Sequence, residues 1–131
     1  MKKSVYFDTT IISFLFDERE SIKNLIDITK EWWDTQRFYY NLFISIETLA
    51  ELQKGNYPNK EKALKLAETI EVLPRINEIE KITNLYIQNK LMPKNFAGDA
   101  IHLAYASIYK IDFLLTWNCK HLANANKKPQ I

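Results

Sequence analysis

An α/β domain built on a mainly parallel sheet of four to five strands, flanked by helices, is predicted by three features of this sequence. Short β-branched and aromatic runs alternate with longer stretches of helical periodicity. Their order is strand, helices, strand, two helices, strand, two helices, strand, which calls for right-handed crossovers between parallel neighbours. No internal repeat, low-complexity tract or linker divides residues 1–131, so one domain is expected over the whole chain.

The first strand is "SVYF" (Ser4–Phe7), where Val5 and Phe7 alternate with Ser4 and Tyr6, and it stops on Asp8. Aspartate there is also a good helix N-cap, because its oxygen satisfies a free backbone N–H, and both readings stand. Thr9 and Thr10 lead into a second apolar segment. From Glu18 a helix is expected: Ile22, Leu25, Ile26, Thr29, Trp32 and Trp33 recur at three- and four-residue spacing, opposite Lys23, Asp27, Lys30, Glu31 and Asp34. Trp32 and Trp33 suit a helix-packing face or a dimer seam. "NLFIS" (Asn41–Ser45) reads as a buried strand and runs into "IETLAELQKG", a helix that Gly55 can end. Pro58 opens another helix, with Ala63, Ala67 and Ile70 on one face. "EVLP" (Glu71–Pro74) is the third strand, and Ile76, Ile79, Ile82 and Tyr86 mark the next helix. "MPKN" (Met92–Asn95) is a loop, "FAGDAIHLAYASIYK" a helix rich in small and apolar residues, and "DFLLTWN" (Asp112–Asn118) the fourth strand.

Composition narrows the function classes. At 131 residues the chain can bury one real core, and its 47% hydrophobic and 26% charged residues match an ordinary soluble globule. Its apolar segments are too short and too interrupted by charge to cross a bilayer. Met1-Lys2-Lys3 is basic, but Asp8 follows at once, so a secretory signal is not expected. A lone Cys119 excludes an internal disulfide and fits a reducing cytoplasm. The net charge of +2 does not mark a nucleic-acid binder by itself; Lys120, Lys127 and Lys128 form the only hint of a basic cluster. With two glycines, neither a glycine-rich phosphate loop nor a G-x-G-x-x-G dinucleotide fingerprint is present.

In a parallel sheet of this kind the carboxyl ends of the strands share one edge, where ligands bind. The first strand delivers Asp8 there, the second delivers Glu47 and Glu51 in the helix that follows, and the fourth delivers Thr116 and Asn118. Asp99, entering the helix before the fourth strand, approaches the same edge from the side. Carboxylates gathered in one cleft repel each other unless a cation neutralises them, and oxygen ligands suit hard cations such as Mg²⁺ or Mn²⁺. Such ions activate water and stabilise the leaving oxygen of a phosphodiester. Metal-assisted hydrolysis of a phosphate ester is therefore the expected chemistry.

The segments "VYFDTTIIS", "SIETLAELQKG", "GDAIHLAYA" and "LLTWNCKHL", in that order, resemble the PIN domain, and more specifically the VapC-type ribonuclease toxins of type II toxin–antitoxin pairs. The resemblance spans Val5 to about Leu122. It implies a single PIN-like α/β domain, Mg²⁺- or Mn²⁺-dependent endonucleolytic cleavage of RNA, frequent homodimers, and an antitoxin partner that covers the site. Carried over, the family's first acid falls on Asp8, followed by the hydroxyls Thr9 and Thr10; the second falls on Glu51 and the third on Asp99. Asp8, Glu51 and Asp99 are thereby the candidate catalytic and metal-binding residues. Many relatives carry an acid just after "T-x" at the end of the fourth strand, where this chain has Asn118. An amide brings no negative charge, so a second metal is expected to bind more weakly.

Supporting roles are open to several neighbours. Thr116 can hydrogen-bond Asp8 or a metal-bound water across neighbouring strand ends, and the Asn118 amide oxygen can accept a water or reach a metal. His102, one helical turn after Asp99, can orient that acid or meet substrate, or can pack as a core histidine. Glu47 is explained by the helix dipole alone. Trp117 suits the core better than a base-stacking role, His121 suits the surface, and Cys119 has no evident base partner. Two other functions compete. A haloacid-dehalogenase-like phosphatase also begins with a strand ending in Asp, but wants a second acid two residues on, where Thr10 stands. A non-catalytic RNA- or partner-binding module of the same fold would explain Asn118, but not the retention of all three acids.

Overall fold

The computed structural model describes residues 1–89 and 97–118. Four strands form one sheet: β1 (Lys3–Phe7), β2 (Tyr40–Ser45), β3 (Glu71–Leu73) and β4 (Phe113–Leu115), in the spatial order β3-β2-β1-β4. Every neighbouring pair is parallel, with Tyr6 opposite Phe43 on one side and Phe7 opposite Leu115 on the other. The order reverses at β1, which therefore sits at a topological switch point with β4 as its late-arriving neighbour. At the opposite end of this pair the Ser4 backbone N–H and hydroxyl both donate to Asp112 Oδ2, at 2.8 and 3.0 Å, pinning the start of β4 to β1.

A central strand must bury both faces, and β1 does. Val5 and Phe7 point into a core with Ile11, Ile12, Ile44, Leu52, Ala63 and Ala67. Tyr6 points the other way, against Leu73, Ile79, Ala104 and Tyr105. The alternation of Val5 and Phe7 with Ser4 and Tyr6 thus divides two cores rather than a core from solvent; Tyr6 is wholly buried. On the first side lie α1 (Thr9–Phe14), α2 (Lys23–Gln36), α3 (Ile46–Gln53) and α4 (Lys60–Ala67). Phe7 meets Trp32 edge-on and Trp33 at a tilt, so both tryptophans serve helix-to-sheet packing. On the second side α5 (Asn77–Gln88) and α6 (Ala97–Ile108) pack on each other and on the sheet.

Several boundaries differ from the sequence reading. The apolar segment after Asp8 is the short helix α1, which Asp8 caps by accepting the Thr10 N–H at 3.0 Å. Ile70 lies beyond the end of α4 and reaches the core from a turn. β4 is shorter than Asp112–Asn118, because Asp112 turns to Ser4 and Thr116 onward turns to the site. The described residues hold four strands, the lower of the two expected numbers. Gly55 follows α3 at φ +73°, a conformation glycine adopts at no steric cost. The Met92–Asn95 loop lies outside the described residues. No helix among them is long and apolar enough to cross a membrane.

Candidate active site

The carboxyl edge of the sheet collects the predicted residues around the end of β1. Asp8 is 2% exposed, its backbone N–H held by the Leu115 carbonyl at 3.2 Å, which fixes it beside the end of β4. Its Oδ1 accepts from the Thr10 N–H and from the Thr10 hydroxyl at 2.5 Å; its Oδ2 accepts from the Thr116 hydroxyl at 2.5 Å. The cap reading of Asp8 is thereby borne out, since Oδ1 closes α1, and the cap places the carboxylate at the carboxyl end of β1, where the site reading expects it. Burial pushes its pKa above the ordinary aspartate value, and the hydrogen bonds from Thr10 and Thr116 offset only part of that.

Thr116 and Asn118 extend the chain of contacts to Asp99. The Asn118 N–H donates to Thr116 Oγ1 at 2.9 Å, and the Asn118 amide donates to Asp99 Oδ1 at 3.0 Å. Asn118, at the position where the resemblance leads one to expect an acid, instead donates to Asp99. The pairing of Thr116 with Asp8 is the one the sequence anticipated.

Glu51 sits on α3, in the turn above Glu47, and its Oε1 takes two donors: the Thr9 hydroxyl and His102 Nε2, the latter at 2.6 Å. Burial pushes its carboxyl up, but the His102 hydrogen bond, its charge when protonated, and the Thr9 hydroxyl outweigh that and hold the group below the usual glutamate range. His102 is buried on α6 and its other nitrogen meets the Tyr6 hydroxyl at 2.6 Å. Both ring nitrogens are thereby committed: of the roles open to His102, the packed histidine is the one observed, and its hydrogen bond goes to Glu51 rather than to its helix neighbour Asp99. The start of α6 nevertheless comes close: a Cβ on Gly98 would stand 3.2 Å from Glu51 Oε2.

The three acids stand around one edge without closing into a cage. Among the described residues no three His, Cys, Asp or Glu side chains group tightly enough to hold a metal ion by themselves. Nor does a described lysine or arginine form an ion pair with Asp8, Glu51 or Asp99. Glu47 is held elsewhere, by Arg75 at 3.3 Å and the Tyr105 hydroxyl at 2.8 Å. Trp117 stacks near Phe14 and donates its indole N–H to Thr29 at 2.8 Å, a packing role. Cys119 and His121 lie outside the described residues.

Sequence reasoning missed the polar group behind the site. The Tyr6 hydroxyl meets Ser45 Oγ at 2.7 Å and Thr48 Oγ1 at 3.4 Å, and Ser45 and Thr48 form a reciprocal capping box at the start of α3. Two signals were present. A tyrosine inside a buried strand needs a partner for its hydroxyl, and Ser45-x-x-Thr48 has the capping-box spacing.

Against solved structures, the chain is similar to Mycobacterium tuberculosis VapC20, described as a sarcin-ricin loop cleaving toxin. The TM-score is 0.70 at 14% identity, covering 92% of this chain and 94% of that one. The chain has a PIN-like fold. A toxin–antitoxin complex from Klebsiella pneumoniae is similar to this PIN-like chain at a TM-score of 0.61 and 22% identity, over 92% of this chain and 91% of that one. No family model and no curated protein matches the sequence. The likeness therefore lives in the path of the backbone, and it spans nearly the whole of each chain.

Proposed function

We propose that this PIN-like chain is a Mg²⁺- or Mn²⁺-dependent endoribonuclease and the toxin of a toxin–antitoxin pair. One observation carries the reading: Asp8, a carboxylate buried at the end of the central strand, is bound among the described residues by hydroxyl and amide donors, and three hydrogen bonds, through Thr116 and Asn118, link it to a second acid, Asp99. Burying negative charge without a basic partner is costly, and a cation drawn from solution offsets it. The donor set is all oxygen and acidic, which fits a hard cation. An open edge suits Mg²⁺ better than a closed cage does, because that ion keeps several waters and takes one or two carboxylates plus substrate phosphate.

Asp8 and Asp99, with Glu51 beside them, would hold the ion, which when bound lowers the pKa of water and offsets charge on a phosphodiester. The rest of the chemistry belongs to the chain. Thr10 and Thr116 fix the direction of Asp8, Asn118 fixes Asp99, and Thr9 with His102 fixes Glu51. Such orientation reduces what must reorganise when the phosphodiester reacts. RNA as substrate is supported by the description of VapC20 as a toxin that cleaves the sarcin-ricin loop. A cognate antitoxin is supported by the Klebsiella pneumoniae complex. A homodimer and a cytoplasmic location complete the proposal.

The test is cleavage of a panel of single-stranded and structured RNAs by purified chain free of any partner, with Mg²⁺, with Mn²⁺ and with chelator, beside Asp99→Asn. Metal-dependent cutting lost in the variant is the expected result. Cutting that survives chelation overturns the metal. RNA binding without turnover, equal in both proteins, replaces the enzyme with a binding module.

A further inference from the structure

We infer that Tyr6 and His102 form a buried positioning relay that commits Glu51 to act through one oxygen, Oε2, beside the Gly98–Asp99 turn; this rests on the metal-site reading above. Tyr6 and His102 are buried behind the acids and reach the edge only through Glu51, so both are positioning residues rather than catalytic ones. Tyr6 is 0% exposed and His102 2%, and between them they connect the start of α3 to one carboxylate.

The chain of donors can be written atom by atom. Ser45 and Thr48, at the first turn of α3, fix the Tyr6 oxygen. His102 Nε2 faces the Glu51 carboxylate and so carries a proton; in the neutral ring Nδ1 then accepts the Tyr6 O–H. Each group in the series has a partner on both sides, and no buried polar side-chain atom among the described residues is left without one. The relay ends on Oε1, which also accepts from Thr9. Oε2 takes no hydrogen bond among the described residues and faces Gly98, where a side chain would stand 3.2 Å away. A carboxylate with one oxygen accepting two hydrogen bonds and the other accepting none among the described residues has one oxygen left to offer a lone pair.

A core histidine with a purely structural role would end on a backbone carbonyl or another buried group. This one ends on a half-exposed glutamate whose side chain is 37% accessible. Outer partners of this kind typically alter metal affinity by about 10- to 100-fold when removed.

The experiment measures Mn²⁺ affinity by the free-ion electron paramagnetic resonance signal for the wild-type chain, His102→Leu, His102→Gln, Tyr6→Phe and Glu51→Ala, and for His102→Leu combined with Glu51→Ala. His102→Leu should weaken binding by about 10-fold. His102→Gln, whose amide nitrogen can stand near the Nε2 position, should recover most of that. In the Glu51→Ala background His102→Leu should change nothing further, since there is no carboxylate left to position. An equal loss in both backgrounds, or a lowered Tm with unchanged Mn²⁺ affinity, overturns the relay. A second readout separates it from the metal proposal: ring ¹⁵N–¹H correlation in metal-free buffer should show the Nε2–H tautomer of His102, lost in Glu51→Ala. A Nδ1–H tautomer overturns the relay whatever Mn²⁺ does, whereas the Nε2–H tautomer in a chain that binds no Mn²⁺ overturns the metal reading alone.

Discussion

Thr116 donates its hydroxyl to Asp8 Oδ2 at 2.5 Å across 108 positions of sequence, joining the end of the first strand to the end of the last. The same Thr116 oxygen accepts the Asn118 N–H, so the single contact also leads to Asp99. Thr116→Val keeps the shape and removes the hydroxyl. A hydrogen bond to a charged group contributes about 1.5–3 kcal/mol, and chemical denaturation at neutral pH should show a loss on that scale. RNA cleavage should fall with it. Unchanged stability together with full activity would mean that Asp8 is held by Thr10 alone.

Asp8→Asn should lower RNA cleavage by at least about 100-fold, beyond the 10- to 100-fold typical of an outer partner. The neutral amide still accepts from Thr10 and retains the cap, so near-native circular dichroism should accompany the loss. An active Asp8→Asn protein would remove this residue from the site.

The raised pKa of Asp8 has a signature in stability. A carboxyl whose folded value lies above its unfolded value binds its proton more tightly in the native state. Its contribution is therefore most favourable at acid pH, below the ordinary aspartate value, and is lost as pH rises through the elevated folded value. In chelator, Asp8→Asn should be more stable than wild type at neutral pH, and the difference should shrink as pH falls. Saturating Mn²⁺ should reverse the order at neutral pH, because only the wild-type chain gains from binding. Denaturation midpoints at a series of pH values, with and without Mn²⁺, check both signs.

Asn118→Asp converts the amide that supports Asp99 into a second carboxylate facing it. Like charges in contact destabilise the apo chain, so its Tm in chelator should drop. The same variant should gain more from Mn²⁺ than wild type does, with a second bound ion in a titration; ligand at about 100 times its Kd contributes ~2.7 kcal/mol. A Tm that ignores Mn²⁺ in both chains would argue against an ion at this edge.

Gly98→Ala places a Cβ 3.2 Å from Glu51 Oε2. Alanine in place of a helical glycine contributes about 0.5–1 kcal/mol to stability when it fits. A chain that is as stable as wild type yet binds Mn²⁺ about 10-fold more weakly would show that the glycine keeps room for that oxygen. Unaltered affinity would show that Glu51 simply shifts aside.

Local chemistry made much of this molecule legible. Asp8 ends an alternating apolar run, and its reading as a helix cap holds, while its second oxygen is bound by Thr116 at the same strand end. Glu51, Asp99, Thr116 and Asn118 could be assigned to one edge because strand ends in a parallel sheet share it. The short helix α1 was signalled by its cap, Asp8, but its bounds were not, because six residues carry too little periodicity to set them. The alternation of Val5 and Phe7 with Ser4 and Tyr6 does not say what covers each face; the sheet is covered on both, so the alternation separates two cores.

The sequence by itself determined the order of strands and helices, and with it which acids arrive at the carboxyl edge, because periodicity and strand–helix alternation are local properties of the chain. Tertiary structure alone decided how those acids are held: that His102 turns from its helix neighbour Asp99 to Glu51, that Tyr6 stands behind it, and that Asn118 serves Asp99. A hydrogen bond is set by distances of a few ångströms between side chains 19 to 108 positions apart, and nothing in their spacing along the chain fixes those distances until the sheet and its two helical layers close around them.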